Sequence, residues 1–166
     1  ADLRLKITDS VIDDEAYALY ERYIMEKHAD GDMFPPDREQ YESFLNNSLG
    51  CTQYFRLYDK DRLVCVAVSD QMLDGLAAIY TFYDPDLDKR SLGTFAVLLQ
   101  ISHAKKLGLP YVYLGYWIDG CRKMSYKTRF KPLEMLSNGR WHGDGDSSTS
   151  GLSTIPVVNV SRDARD

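Results

Sequence analysis

Cysteine is scarce in this 166-residue chain, with only Cys51, Cys65 and Cys121. They are odd in number, widely spaced and never form a Cys-x-x-Cys pair. That excludes a disulfide framework and gives no zinc-site signal, so no metal site is expected. Cys51 and Cys65 read as small buried hydrophobes. Cys121 has a basic setting of the kind that lowers a thiol pKa, yet it lacks an evident partner for nucleophilic work. Long apolar runs are missing as well. None approaches ~18 residues, and Ala1 does not begin a basic-then-apolar secretion signal. A soluble cytoplasmic protein is the expectation. There is no internal repeat.

Acid is missing from one stretch in particular. Between Asp119 and Glu134 there is none, while Arg122, Lys123, Lys127, Arg129 and Lys131 all fall there. The formal net charge of −5 hides this asymmetry. Residues 1–50 hold 12 acids against 5 bases, a net of −7, and residues 89–131 hold 9 bases against 1 acid, a net of +8. An acidic chain with one basic half implies a local anionic partner rather than general nucleic-acid affinity. Tyr116, Trp117, Tyr126 and Phe130 sit among the cations. Cations interleaved with flat rings suit a phosphate chain with exposed bases. A solvated helix face with ordinary core aromatics is the plainer alternative. Trp117 and Met124 read as packing.

What is present reads as a mixed α/β (α+β) domain over 1–142 with a loose tail over 143–166. Leu3 to Thr8 alternates as a short strand. Asp13 caps a helix from Asp14 to about Lys27, with Tyr17, Tyr20, Ile24 and His28 on one face. Pro36 and Asp37 open a second helix to about Asn47, with Tyr41, Phe44 and Leu45 inward. Thr52–Tyr58, Arg62–Ser69 and Leu76–Tyr83 make an antiparallel meander. Ser91 caps a helix from Leu92 to Lys106 with Leu92, Phe95, Leu98, Leu99 and Ser102 inside, and Gly108 stops it. Tyr111–Tyr116 follows as a strand expected to run parallel to the one before the helix. Lys131–Leu136 and a late Ile155–Val160 complete the strands.

A strand, two helices, a meander and then β-loop-α-β is the layout of the acetyltransferase-like (GNAT) fold. In that fold the loop before the central helix offers backbone N–H groups to a phosphate. Helix N-termini carry unpaired donors and partial positive charge. Lys89, Arg90, Ser91, Leu92 and Gly93 are the residues in that position, and a merely capped helix with two surface cations is the alternative.

Two stretches say more. Tyr80-Thr-Phe-Tyr-Asp-Pro-Asp-Leu-Asp-Lys-Arg-Ser-Leu-Gly93 and Tyr113-Leu-Gly-Tyr-Trp-Ile-Asp-Gly-Cys-Arg-Lys-Met-Ser-Tyr-Lys-Thr-Arg-Phe-Lys-Pro-Leu-Glu134 closely resemble the arginyl-tRNA–protein transferase family. The nearer branch looks like the bacterial aspartate/glutamate leucyltransferases. Tyr23 to Leu45, with His28 and the Phe44-Leu45 pair, fits too, so the resemblance runs from Tyr17 to Trp141. It implies a GNAT-like domain in which aminoacyl-tRNA replaces acyl-coenzyme A. The amino acid, leucine rather than arginine on this branch, passes to the N-terminal amine of a protein beginning with Asp or Glu and marks it for degradation through the N-degron pathway.

Under that resemblance Asp84 and Asp86 orient the amine or take its proton. Tyr83 and Tyr116 hold the ester carbonyl or stack on the terminal adenine, with Tyr126 beside them. His28 contacts the acceptor peptide. Arg122, Lys123, Lys127 and Arg129 take acceptor-stem phosphates. Arg90, Lys123 or Arg129 reads the acceptor's acidic first residue. An ester on tRNA is already activated, so no covalent nucleophile and no cofactor is required of this chain. Family members carry an N-terminal cysteine-bearing region, in some a metal or iron–sulfur holder, which this chain lacks. The expectation is a C-terminal catalytic part of a longer protein or a shortened member. Two other readings stay open: an acetyl-coenzyme A N-acetyltransferase of the same fold, and a non-catalytic tRNA-binding module. The oligomeric state is not legible.

Overall fold

The structure, a computed structural model, describes residues 2–46, 49–118, 120–143 and 155–159. The fold is α+β. Its strands are β1 (Leu3–Thr8), β2 (Thr52–Asp59), β3 (Arg62–Gln71), β4 (Gly75–Tyr83), β5 (Tyr111–Tyr113), β6 (Leu133–Ser137), β7 (Arg140–Gly143) and β8 (Ile155–Asn159). Its helices are α1 (Asp14–Lys27), α2 (Arg38–Leu45) and α3 (Leu92–Lys106), joined by two 3₁₀ segments at Pro85–Arg90 and Arg122–Arg129. The chain divides into two compact units. The first comprises Ala1–Asp70 and Tyr80–Val97, the second Gln71–Ile79 and Leu98–Asp166, so the chain passes from one to the other within β4 and within α3.

In the first unit β1 pairs antiparallel with β2, and β2 with β3. The two helices start as their sequences dictate. Asp13 is extended and its carboxylate accepts from the Ala16 N–H at 2.9 Å. Asp37 does the same for Gln40 at 2.8 Å. Such caps satisfy donors that a helix start leaves orphaned. The core is unusually rich in tyrosine. Tyr20, Tyr23, Tyr41, Tyr54 and Tyr58 are buried with Leu19, Ile24, Leu45, Val66, Val68 and Phe82. Two of the hydroxyls find backbone acceptors, Tyr41 on the Val11 carbonyl at 2.6 Å and Tyr54 on that of Leu45. A phenol can be buried at low cost only with such a partner.

In the second unit β4 runs parallel to β5, through Gly75–Ala77 against Tyr111–Tyr113. Strand β8 lies between β5 and β6, antiparallel to both, and β7 pairs with β6. Gly75 is required where the two parallel strands meet: a Cβ there would lie 2.6 Å from the Tyr111 carbonyl oxygen.

Several expectations are corrected. His28 closes α1 as its C-cap instead of extending the helix face. Phe44 is exposed, its ring edge-on to Tyr80 at 5.5 Å, so only Tyr41 and Leu45 of α2 point inward. On α3 the buried residues include Leu92, Ala96, Val97, Gln100 and Ala104, while Leu98 and Ser102 are exposed. Leu92 is buried as expected and Phe95 and Leu99 are half-buried, so the expectation fails at Leu98 and Ser102, because apolar residues on several sides of the helix hide its phase. Cys65 is buried as expected but Cys51 is partly exposed. Strand β5 stops at Tyr113, before Gly115 turns the chain with φ 75°. Strand β6 starts at Leu133, after Pro132, which has no N–H to give to a ladder. The late strand forms as β8, with Val157 and Val158 buried. Val160 and the rest of the tail lie outside the described residues, as does Asn47.

Candidate functional site

Strand β4 ends on Tyr83, and the chain then makes a 3₁₀ segment, Pro85–Arg90, before α3 begins at Leu92. Asp84 starts this turn. Its N–H donates to the Val64 carbonyl at 2.9 Å, tying the turn to β3. Its carboxylate is 1% exposed and fully committed. One oxygen faces Arg62 Nη1 at 2.7 Å, and the other accepts from the Asp86 N–H at 3.1 Å and faces Arg22 Nη2 at 3.3 Å. Asp86, two residues on, is the opposite case. Its side chain is 72% exposed and takes the Arg22 guanidinium at 3.0 Å. Asp88 pairs with Lys27.

Tyr83 and His28 meet the same cluster through Tyr23. The Tyr23 and Tyr83 rings are 5.0 Å apart, and His28 Nε2 lies 3.0 Å from the Tyr23 hydroxyl. Burial pushes the Tyr83 phenol pKa up, Asp88 adds to this and Lys27 opposes it. Tyr83 therefore stays protonated at neutral pH and is a hydrogen-bond donor.

The helix start is shaped as follows. Ser91 has φ 51°, and its carbonyl accepts from the Phe95 N–H at 3.0 Å. The N–H groups of Leu92, Gly93 and Thr94 have no acceptor within the helix, as at any helix start. Arg90 is already engaged. Its Nη2 holds both oxygens of Asp2, at 2.6 and 2.7 Å, and Nη1 reaches Asp59 at 3.5 Å. A cavity of about 190 Å³ lies here, lined by Asp2, Leu3, Arg90, Leu92 and Phe95. An anion that uses Arg90 must share it with Asp2. Lys89 is exposed and has no ion pair among the described residues.

The second unit carries the remaining sequence candidates. Arg122, Lys123, Lys127, Arg129 and Tyr126 all belong to one 3₁₀ segment. Arg122, Lys123 and Arg129 make no ion pair among the described residues. Lys127 differs: it is half-buried and its Nζ donates to the Tyr116 carbonyl at 2.7 Å. Burial pulls its ammonium below the usual lysine range. Lys127 thus fastens the Gly115–Tyr116 turn, while its three neighbours are without an acidic partner among the described residues. The Tyr116 side chain is exposed, and the Tyr126 ring stands edge-on to Phe130 at 6.4 Å.

The structure thus gathers Tyr83, Asp84, Asp86, Lys89, Arg90, Ser91, Leu92, Gly93 and His28 in the first unit and the basic segment with Tyr116 in the second. Sequence reading missed Arg22, Arg62, Lys27 and Tyr23. Only Arg22 carried a local hint, its i,i+4 spacing to Glu26. No group of three or more His, Cys, Asp or Glu residues is arranged to hold a metal among the described residues, and no helix there is long and apolar enough to cross a membrane.

Residues 15–137 match the family model described as arginine-tRNA-protein transferase, C terminus. The aspartate/glutamate leucyltransferase of Stutzerimonas stutzeri is 50% identical over 141 residues, 85% of this chain and 60% of that protein. That of Teredinibacter turnerae is 51% identical over 142 residues, 85% of this chain and 58% of that protein. The chain thus spans about 60% of the length of these relatives. Among solved structures, the ribosomal-protein-S18-alanine N-acetyltransferase of Escherichia coli aligns with a TM-score of 0.59 at 17% identity, covering 98% of both chains. A putative GNAT-family acetyltransferase of Desulfovibrio desulfuricans gives 0.62 at 10% identity, covering 95% of this chain and 99% of that one. At such identities the likeness concerns the fold, and it bears out the acetyltransferase-like architecture read from the order of elements.

Proposed function

We propose, from the premise that this chain belongs to the arginine-tRNA-protein transferase family, C-terminal part, that it transfers leucine from leucyl-tRNA to the N-terminal amine of proteins beginning with Asp or Glu. The observation that carries an RNA donor is the 3₁₀ segment Arg122–Arg129, where Arg122, Lys123 and Arg129 have no acidic partner among the described residues. An acyl-coenzyme A donor carries only a pyrophosphate and one further phosphate, whereas an RNA offers a longer phosphate chain to such a segment. Three cations in eight residues, unpaired among the described residues, fit consecutive phosphates.

The chemistry needs little more than placement. The acceptor amine attacks the ester carbonyl carbon. A C–N bond forms, the C–O bond to the ribose breaks, and the amine proton is passed on to the departing oxygen. A free α-amine has a pKa near about 7.7–8.0, so a weak base or water suffices to supply the neutral form. Holding the two reactants together supplies up to roughly 7–11 kcal/mol.

Residue roles follow from exposure. Asp86, accessible at the β4 end, receives the acceptor ammonium and orients it. Asp84, enclosed by Arg22, Arg62 and the Asp86 N–H, positions that turn instead of exchanging protons itself. Tyr83, kept protonated, donates to the ester carbonyl as negative charge develops on it. His28 braces Tyr83 through Tyr23, whose hydroxyl it meets and whose ring packs on that of Tyr83. The N–H groups at the start of α3 donate to a phosphate or to the terminal ribose oxygens. Marking of the acceptor for degradation and a cytoplasmic setting accompany this reading.

The test is transfer of labelled leucine or arginine from its tRNA to peptides beginning with Asp, Glu or Ala, with labelled acetyl-coenzyme A as a third donor. Leucine should appear on the Asp and Glu peptides and not on the Ala peptide. Acetyl transfer, or RNA binding without transfer of either amino acid, overturns the reading.

A further inference from the structure

The hairpin of β6 and β7 lies outside every set of residues assigned so far. Its register pairs Ser137 with Arg140 and Met135 with His142. Paired residues, and residues two apart on a strand, share a face. Ser137, Arg140 and His142 therefore stand on one face. Glu134 and Trp141 alternate to the other, so the acid of this hairpin is turned away. The connection is the two-residue turn Asn138–Gly139, both with positive φ (51° and 72°), which brings Arg140 directly opposite Ser137.

A cavity of about 380 Å³ opens on this hairpin, lined among the described residues by Ser137, Asn138, Arg140 and His142. Three facts about its lining point the same way. Ser137 is 3% exposed, yet its Oγ has no hydrogen-bond partner among the described residues. Buried polar groups are nearly always bonded, so an orphaned hydroxyl at a cavity wall marks a missing partner. Arg140 is exposed and makes no ion pair among the described residues. Among the described residues the lining is a hydroxyl, an amide, an imidazole and a guanidinium, with no carboxylate. Such a set offers donors to an oxyanion, and the planar guanidinium fork matches a phosphate.

We propose that this cavity is a phosphate-binding site that takes a backbone phosphate of the RNA donor. The phosphate chemistry stands on the lining alone, while its RNA source rests on the reading given under Proposed function. The hairpin follows the cationic 3₁₀ segment directly in the chain, through Phe130, Lys131 and Pro132, and belongs to the same unit. The site thus adds Arg140, beyond Glu134, to the cations of residues 122–131.

The experiment is NMR titration of the full chain, labelled with ¹⁵N, with inorganic phosphate in one arm and an acceptor-stem RNA minihelix in the other. Phosphate should perturb Ser137, the Arg140 side chain and His142. Arg140→Gln should weaken phosphate binding by roughly tenfold, the effect of losing one charged hydrogen-bond donor. Ser137→Ala should weaken it severalfold with an unchanged or higher unfolding midpoint, because an unpaired buried hydroxyl is removed. That combination separates a ligand contact from damage to the fold. In the RNA arm, Arg140→Gln should lower the slope of log affinity against log salt by about one. An absence of phosphate shifts at the hairpin, or shifts unaltered by both substitutions, overturns the site. Phosphate shifts together with RNA binding whose slope ignores Arg140→Gln overturn its assignment to the RNA donor. If phosphate binds here while the RNA binds nowhere on the chain, the RNA-donor reading falls and the phosphate pocket stands.

Discussion

Asp84 and Asp86 are two residues apart in a Pro-containing turn and sit in opposite surroundings, one enclosed by two guanidiniums and a backbone N–H, the other open to water. Asp84→Asn should cost about 2 kcal/mol in urea unfolding, less than the ~3–5 kcal/mol of a pair buried on both sides, because Arg22 and Arg62 themselves reach solvent. Asp86→Asn should leave stability within about 0.5 kcal/mol while turnover falls. Equal stability losses for the two would remove the distinction. Asp13 gives a pH effect. Burial alone would raise its carboxyl pKa, but hydrogen bonds from Arg56 and the Ala16 N–H outweigh that and hold it below the ordinary 3.8. Its contribution to stability is therefore complete above that ordinary value and is lost as pH falls through the lower folded value. Asp13→Asn should flatten the acid limb of the stability curve below about pH 4, read by urea midpoints across pH. The caps Asp13 and Asp37 were legible in sequence, since capping is a matter of a few consecutive residues. The Arg22–Asp84–Arg62 contact was not, because its members come from α1, the β4 end and the start of β3.

At the scale of elements, the parallel pairing of β4 and β5 turns on one glycine. Gly75→Ala would press a methyl on the Tyr111 backbone, with its carbonyl oxygen at 2.6 Å and its carbonyl carbon at 3.1 Å. A loss of about 1–3 kcal/mol is expected by thermal or urea unfolding, since backbone cannot move aside as a flexible side-chain tip can. The basic 3₁₀ segment divides by function in the same concrete way. Arg122→Gln, Lys123→Gln and Arg129→Gln should each lower the salt slope of RNA binding by about one. Lys127→Gln should instead lower the thermal midpoint through loss of its bond to the Tyr116 carbonyl and change the slope less. Sequence alone treats these four cations alike, because a charge run carries no information on which ammonium the fold will bury.

Across the whole molecule, a net charge of −5 coexists with the +8 of residues 89–131. RNA binding should therefore be steep in salt despite the acidic total. With three or four phosphates neutralised, raising salt from 50 to 200 mM should weaken binding by tens- to roughly a hundredfold in a filter-binding assay. A flat response would mean that the cationic stretch takes no part. The amino-acid order alone determined the family, the succession of elements and the acid-free stretch, because long specific motifs, caps and turn residues are contiguous along the chain. Only the tertiary structure decided which α3 stripe is buried, that Asp84 is enclosed while Asp86 is open, that Asp2 occupies Arg90, and that Ser137 stands opposite Arg140 with a hydroxyl unpaired among the described residues. Those outcomes depend on groups distant in sequence competing for the same space and the same hydrogen bonds, and no local pattern records who wins.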